Sequence, residues 1–194
     1  MAPASRIDLT NQFLIAMPGM VDDTFKGAVV YLCEHTEKGA LGLVINKPID
    51  IKLKNLFEKV DLGTPPEPLA EQPVYFGGPV QTERGFVLHE RQGEAGASYN
   101  STLAIADSGL EMTTSKDVLE AMSNGAGPKK VLITLGYSGW EAGQLEDEIG
   151  RNGWLTVGAD PAIIFDTPTD KRYDRALSLL GFDPRMLSPE AGHA

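Results

Sequence analysis

The chain has 194 residues, of which 42% are hydrophobic and 23% charged, a composition typical of one globular domain rather than a disordered chain. Its 27 acidic and 17 basic residues give a net charge of −10, and the basic residues are scattered, so direct DNA binding is not expected. The sequence has no apolar run of membrane-spanning length and no signal-peptide pattern, which predicts a cytoplasmic protein that does not bind membranes.

Cys33 is the one cysteine in the sequence. A single cysteine excludes an intrachain disulfide and a cysteine-based zinc cluster. Cys33 lies in an apolar predicted strand, where a buried thiol packs rather than reacts. We therefore expect no cofactor, no metal site and no redox role for this residue.

Short apolar and β-branched runs that end at turn-forming residues predict strands along the whole chain. In chain order they cover residues 13–17, 28–34, 41–46, 74–76, 85–89, 103–106, 110–113, 131–135 and 154–157. The second and third strands flank Glu37-Lys38-Gly39, a pattern that predicts a hairpin with glycine at its turn.

Apolar residues at helical spacing predict four helices between these strands. Asp50 is expected to cap the first, which includes residues 53–60. The others start at Thr114 or Ser115 and end at Asn124, or cover 140–149 and 172–180. Residues 61–73 predict a surface connection and 93–101 a mobile loop. Helices interspersed irregularly among strands favour an α+β fold.

Ser138 lies in Gly136-Tyr137-Ser138-Gly139-Trp140, which resembles a serine nucleophile elbow. The elbow requires glycine where Trp140 stands, and the one histidine after Ser138 is His193 near the C-terminus. We therefore predict a tight turn between a strand and a helix, with Tyr137 and Trp140 packed in the core. Anion binding at the start of that helix is the functional alternative.

A second glycine motif, Gly77-Gly78-Pro79-Val80, lacks the spacing and the lysine of a phosphate loop. It predicts a sharp bend in which glycine allows close backbone approach, and it is also a candidate pocket wall. Arg84 follows this bend. A surface salt bridge is favoured for Arg84 over a clamp for a carboxylate or phosphate.

Two histidines stand beside glutamates: His35 follows Glu34, and His89 precedes another glutamate. Neither pair has a metal-binding spacing, and neighbours on a strand face opposite sides, so structural histidines are favoured. Glu146 and Glu148 are two residues apart on a predicted helix and face different sides. We predict that both are solvated rather than a catalytic pair.

Several blocks, taken in order, resemble the YqgE/AlgH family of small bacterial proteins. They are 13–18 with Met20, Asp22 and Phe25; Glu34-His35; 39–48; 77–80; 85–89; 136–140; 143–146; and Asn152 with Trp154. The resemblance implies a single α+β domain with a coiled or bifurcated, barrel-like β-sheet wrapped by helices. We expect this domain to cover 13–187, between flexible segments 1–12 and 188–194.

The resemblance implies no settled biochemical activity, although some members are labelled transcriptional regulators. We predict a non-enzymatic binding or regulatory module with a small anionic ligand or a protein partner. The candidate pocket residues are Glu34, His35, Asn46, Gly77, Gly78, Arg84, His89, Ser138, Trp140 and Glu146. The alternatives are a transcriptional regulator, acting directly or through a partner, and an unrecognised hydrolase or enzyme that binds a nucleotide or phosphometabolite.

Overall fold

The computed structural model describes residues 7–20, 22–91 and 99–181. The strands are β1 Gln12–Ala16, β2 Val29–Thr36, β3 Gly39–Val44, β4 Pro48–Lys52, β5 Pro73–Phe76, β6 Val80–Glu90, β7 Thr102–Ile105, β8 Leu110–Thr113, β9 Val131–Glu141 and β10 Trp154–Gly158. The α-helices are α1 Leu53–Lys59, α2 Asp117–Ser123, α3 Gln144–Gly150, α4 Pro161–Phe165 and α5 Arg172–Ser178. The predicted tail 188–194, residues 1–6 of the predicted N-terminal segment and most of the predicted loop 93–101 lie outside the described residues.

All the strands belong to one curled sheet, whose main path runs β10-β1-β2-β3-β9-β6-β8-β7 with antiparallel neighbours. The sheet forks at β9. Along one edge β9 pairs with β6, while its other edge pairs with β5 through Thr134 and Leu135 and with β3 through residues 138–141. The predicted α+β fold with a bifurcated sheet is confirmed. Among the described helices, none is long and apolar enough to cross a bilayer.

Both faces of the sheet are buried, because successive strand side chains point to opposite sides and each side packs in its own cluster. An inner cluster contains Phe13 and Tyr31, whereas a tryptophan cluster on the opposite face contains Leu14, Val30 and Trp140. A third, helix cluster lies where α1 and α2 cover β6 and β9. The strands therefore appear in the sequence as continuous apolar runs.

The predicted turn at residues 136–139 is wrong, because β9 continues through it to Glu141. Gly136 has a φ of +80°, and it bends the strand without ending it. Leu132 and Tyr137 both pack against the inner cluster although they are five residues apart. The alternation of side chains therefore reverses between them, which is the effect of a bulge.

Two predicted helix starts are also wrong. Asp50 does not cap α1, because it lies in β4, which pairs with β5. The residue that precedes the helix is Lys52, whose backbone N–H donates to Asn55 Oδ1 at 3.1 Å. The helix predicted from Trp140 begins only at Gln144, since β9 occupies the intervening residues.

A buried arginine connects the C-terminal helix to the sheet. The Arg172 side chain donates from Nη1 to the Ile45 carbonyl and from Nε to the Thr167 carbonyl, the latter at 3.0 Å. Its guanidinium carbon lies 5.0 Å from the centre of the Tyr75 ring. These contacts hold α5 against β5 and the end of β3.

Candidate functional site

His35 and Glu146, which are 111 residues apart, form a hydrogen bond at one end of the sheet. One additional residue on β2 opposite β3, between Leu32 and Glu34, reverses the side-chain alternation and turns His35 towards α3. His35 Nδ1 accepts the Leu9 N–H at 3.0 Å, so the proton lies on Nε2, which donates to Glu146 Oε1 at 2.8 Å. Glu146 is exposed, as predicted, with 40% of its side chain accessible, but it also accepts this hydrogen bond from His35.

Both ring nitrogens of His35 are occupied, and its side chain is fully buried. A general base needs a free nitrogen that reaches a substrate proton. His35 therefore connects the segment before β1 to α3, and this structural role agrees with the sequence interpretation.

The two glycine motifs meet in the structure. Ser138 is buried, and its hydroxyl donates to the Gly77 carbonyl at 3.0 Å. A Cβ on Gly78 would lie 2.1 Å from the carbonyl carbon of Tyr137, so glycine is required for this close approach. Gly77 and Gly78 are therefore the contact of a bend with β9, and the Ser138 hydroxyl is not available as a nucleophile.

Glu148 holds the two tryptophans of the chain together. Its Oε1 accepts the indole N–H of Trp140 at 3.1 Å and that of Trp154 at 3.0 Å, while Oε2 accepts from Gln144 at 2.9 Å. The two indole rings pack edge to face, and Phe25 contacts both. The prediction that Glu148 is simply solvated is wrong.

This arrangement opens into a cleft of about 310 Å³, which we call the tryptophan cleft. Its lining includes Met20, Asp22, Phe25, Trp140, Glu148 and Trp154. The three donors to Glu148 are neutral groups and therefore leave its negative charge in place. Arg151 also lines the cleft, and its Nε pairs with Asp147 at 3.1 Å.

A second, more open cleft of about 380 Å³ adjoins the first, and both share Gly139 and Trp140. Glu34 and Glu141 line this hairpin cleft together with Lys38. Glu34 is exposed there because the bulge in β2 directs it away from α3.

Most of the predicted site residues thus gather around the second half of β9, but three lie elsewhere. The Asn46 side chain accepts from Val29 N–H and donates to the Gly27 carbonyl, both at 2.9 Å. Arg84 is exposed; its guanidinium donates to Gln81 Oε1 and Thr114 Oγ1 at 3.3 Å, and no salt bridge of Arg84 is found within the described ranges.

His89 is the third of these residues and is completely buried. Its Nδ1 donates to the Glu90 carbonyl at 2.8 Å, and its Nε2 lies 2.8 Å from Thr113 Oγ1. Burial lowers the pKa of His89 and so favours the neutral ring, in which Nε2 accepts the hydroxyl proton. This is the predicted structural histidine.

Burial also raises the pKa of the Cys33 thiol, which is free and inside the core, as the sequence predicts. Across residues 7–20, 22–91 and 99–181, no group of three or more His, Cys, Asp or Glu side chains could hold a metal ion.

The sequence interpretation missed the acidic and aromatic lining of the tryptophan cleft. In that interpretation Phe25 was a position of family resemblance, Trp154 was such a position and the start of a predicted strand, and Glu148 was a surface residue. The one available signal was a glutamate between two tryptophans, at eight residues from one and six from the other. Those separations correspond to no single regular element, so the sequence gives no indication that the three side chains meet.

The comparisons with known proteins place these features in a family. A family model described as AlgH-like (DUF179) matches residues 13–185. A UPF0301 protein of Ralstonia nicotianae is 67% identical over 193 residues, which cover 100% of this chain and 99% of the relative. A UPF0301 protein of Burkholderia cenocepacia is also 67% identical, over 192 residues that cover 99% of this chain and 98% of the relative.

Two solved structures are similar to this fold. The solution structure of the AlgH protein from Pseudomonas aeruginosa has a TM-score of 0.77 and 49% identity, with 100% of both chains covered. A crystal structure of a protein from Corynebacterium diphtheriae has a TM-score of 0.68 and 21% identity, covers 90% of this chain and 87% of that one, and shows the shared fold alone. The chain therefore belongs to the AlgH-like family of UPF0301 proteins.

Proposed function

We propose that this protein is a non-enzymatic binding module, and that the tryptophan cleft binds a small organic cation with an apolar body. The observation that carries the proposal is Glu148, a carboxylate held in one orientation by two indole N–H groups at the side of a cleft. A site fixed in this way needs little rearrangement when a ligand binds.

The charges around the cleft favour a cation. Glu148 and Asp22 both line it, and the donors to Glu148 carry no charge. The opposing charges are Arg151, which pairs with Asp147, and Lys47, which interacts with Asp22. A cationic group beside Glu148 would supply the charge that its neutral donors do not, whereas an anion would meet the carboxylates of Glu148 and Asp22.

The walls and size of the cleft favour an apolar body on that cation. Phe25 and Met20 supply apolar surface beside the two tryptophans. Aromatic faces attract ammonium groups through their quadrupole, and the effect is greatest for desolvated cations. A volume of about 310 Å³ lies at the small end of the range for ligand pockets.

Catalytic hydrolysis has less support at this site. The Ser138 hydroxyl donates to a backbone carbonyl, and both His35 nitrogens are engaged, so neither residue has the free group that nucleophilic catalysis requires. Direct DNA binding has little support either, because the chain carries a net charge of −10, Lys130 pairs with Asp166, and Lys52 and Lys54 both pair with Glu71.

Intrinsic fluorescence tests the proposal, since both tryptophans of the chain line the cleft. The probes are choline and its uncharged isostere 3,3-dimethyl-1-butanol. We expect a saturable change with choline and at least tenfold weaker binding of the isostere. Equal binding of the two probes, or no saturable change with choline, would overturn the cation site.

Glu148→Gln is the informative variant, because glutamine keeps an oxygen for the indole N–H groups but removes the charge. It should weaken choline binding at least tenfold while the unfolding midpoint stays within a few degrees of the wild type. Glu34→Gln, which removes a carboxylate from the adjoining hairpin cleft, is the matched control and should bind choline normally. Unchanged choline binding in Glu148→Gln would contradict the role of Glu148.

The proposal includes a cytoplasmic location. It is supported by the single cysteine, which is buried and unpaired and needs no oxidising compartment. Fractionation of cells that express the protein tests this, and recovery in the periplasm would contradict it.

A further inference from the structure

A chain of hydrogen bonds leads from buried His89 to the segment before β7, on the sheet face of the helix cluster. His89 Nε2 lies 2.8 Å from Thr113 Oγ1, which lies 2.9 Å from Thr102 Oγ1. The Thr102 hydroxyl is in turn 3.1 Å from the Tyr99 carbonyl, to which it can donate. His89 and Thr113 are completely buried, whereas Thr102 is partly exposed. Two hydroxyl groups therefore connect a buried imidazole to the protein surface.

The groups at the two ends of this chain determine which bonds can reverse. His89 Nδ1 lies 2.8 Å from the Glu90 carbonyl, and a carbonyl can only accept, so Nδ1 carries a proton whether the ring is neutral or charged. Nε2 is therefore the nitrogen that gains or loses a proton. At the other end the Tyr99 carbonyl also only accepts. Each hydroxyl between these ends has one proton to donate and can direct it to either neighbour.

The chain has two complete arrangements, one for each state of the ring. When His89 is neutral, Thr113 donates to Nε2 and Thr102 donates to Thr113. When Nε2 carries a proton, it donates to Thr113, Thr113 donates to Thr102, and Thr102 donates to the Tyr99 carbonyl. Every donor of the chain has an acceptor in both arrangements, so the buried ring can become charged without losing a hydrogen bond.

The surroundings of the ring determine when it becomes charged. Burial is the largest influence and lowers the pKa of His89, whereas its bond to the Glu90 carbonyl and the charge of Glu111 act in the opposite direction. Glu111 is buried and lies directly opposite His89 in the β6–β8 ladder. The Tyr99 ring packs edge to face against the imidazole, with ring centres 5.7 Å apart, and Asp117 of α2 interacts with Tyr99. The ring is thus neutral at pH 7 and takes up its proton on acidification.

We propose that His89, Thr113 and Thr102 form a pH-sensitive switch, in which protonation of His89 reverses both hydroxyl groups and adds a hydrogen bond to the Tyr99 carbonyl. In this step a solvent proton joins Thr102 Oγ1, the Thr102 hydroxyl proton passes to Thr113 Oγ1, and the Thr113 hydroxyl proton passes to His89 Nε2. Each hydroxyl ends with one proton, and the ring gains one positive charge. The segment before β7 is held by this additional bond only in the acid form. Other residues line the tryptophan cleft, so the switch is independent of the proposed cation site.

An acid titration followed by NMR of the histidine ring ¹⁵N nuclei and of the backbone carbonyl ¹³C nuclei tests the switch. In the wild type, the neutral His89 ring should carry its proton on Nδ1. The Tyr99 carbonyl signal should then shift with the same midpoint as His89 Nε2. A neutral ring protonated on Nε2, or a Tyr99 carbonyl signal that does not follow the titration of His89, would overturn the proposal.

Thr102→Val is the informative variant, because it removes the acceptor that the Thr113 hydroxyl needs only when His89 is charged. It should lower the midpoint of the His89 titration by about 0.4–1 pH unit, which corresponds to the net free energy of one hydrogen bond, and it should abolish the linked shift of the Tyr99 carbonyl. Thr102→Ser keeps a hydroxyl and should titrate like the wild type. Thr156→Val, at a partly buried threonine on the distant strand β10, is the matched control and should leave the midpoint unchanged. An unchanged midpoint in Thr102→Val, or a Tyr99 carbonyl that still follows His89 in that variant, would refute the switch.

Discussion

Replacing Gly78 by alanine should destabilise the fold far more than the same replacement at Gly85. The Cβ of residue 78 would lie 2.1 Å from the carbonyl carbon of Tyr137 and 2.3 Å from Ser138 N. Both are backbone atoms of β9, so the bend and the strand must separate. Gly78 also has a φ of +153°, which a residue with a side chain adopts only under strain.

The magnitude follows from two terms. Backbone strain of this kind costs about 1–3 kcal/mol. Separation of the bend from β9 also removes the hydrogen bond from Ser138 to Gly77, which contributes about 1 kcal/mol. We therefore expect Gly78→Ala to lower the free energy of unfolding by roughly 2–4 kcal/mol. A domain of this size loses about 2–4 °C in Tm per kcal/mol, so Tm should fall by roughly 4–16 °C.

Urea unfolding followed by tryptophan fluorescence measures this difference. Gly85→Ala is the matched control, because alanine in a strand interior is favoured over glycine by roughly 0.5–1 kcal/mol and the new Cβ has room. It should leave stability unchanged or raise it slightly. If Gly78→Ala were as stable as the wild type, or if both variants lost stability equally, the close contact between the glycine bend and β9 would be refuted.

Three further outcomes are expected. His35→Ala should lower the free energy of unfolding in urea by about 1–3 kcal/mol, because the Leu9 N–H loses its acceptor. Glu146→Gln should lower it by less than about 1 kcal/mol, because the amide oxygen still accepts from His35. Equal losses of stability in the two variants would contradict this prediction. Arg172→Met should lower stability by about 2–4 kcal/mol, since the Ile45 and Thr167 carbonyls lose a buried donor. An unchanged Tm would contradict the stabilising role of these two hydrogen bonds. Burial lowers the pKa of His89 in the folded chain. Below about pH 6.5 the unfolded chain therefore binds a proton at this residue that the folded chain does not bind. The free energy of unfolding should consequently fall on acidification from pH 7 to 5.5. His89→Asn should reduce that slope, and an identical slope in both proteins would show that another group is responsible.

Much of the fold could be predicted from local patterns. The hairpin of β2 and β3, the strand at β1 and the apolar face of α1 follow from residue types within a few positions of one another. The family resemblance supplied the forked sheet, which local patterns alone do not specify.

The wrong turn at residues 136–139 and the wrong helix cap at Asp50 have a common physical cause. Glycine is a residue type typical of turns, but Gly136 bends a long strand, and the strands paired with both of its edges keep that strand extended. Aspartate is a residue type typical of helix caps, but Asp50 lies within β4, which pairs with β5. In both places tertiary pairing overrides the local preference, and a single sequence contains no record of that pairing.

The candidate site was the least predictable part. His35 meets Glu146 across 111 residues, and Glu148 joins two tryptophans from different strands. These contacts depend on the bulge in β2 and on the curl of the sheet, which decide the side to which each residue points. The sequence identified His35 and Trp140 as candidates but could not pair them with their partners.

The most direct test of the cation site is to follow the two indole N–H signals in ¹H–¹⁵N NMR spectra during titration with choline. The chain has two tryptophans, and both donate to Glu148, so the two signals report on the surroundings of this carboxylate. We predict that both shift saturably in the wild type and that neither shifts in Glu148→Gln. Indole signals that stay fixed in the wild type while signals from other parts of the chain move would contradict a binding site in the tryptophan cleft.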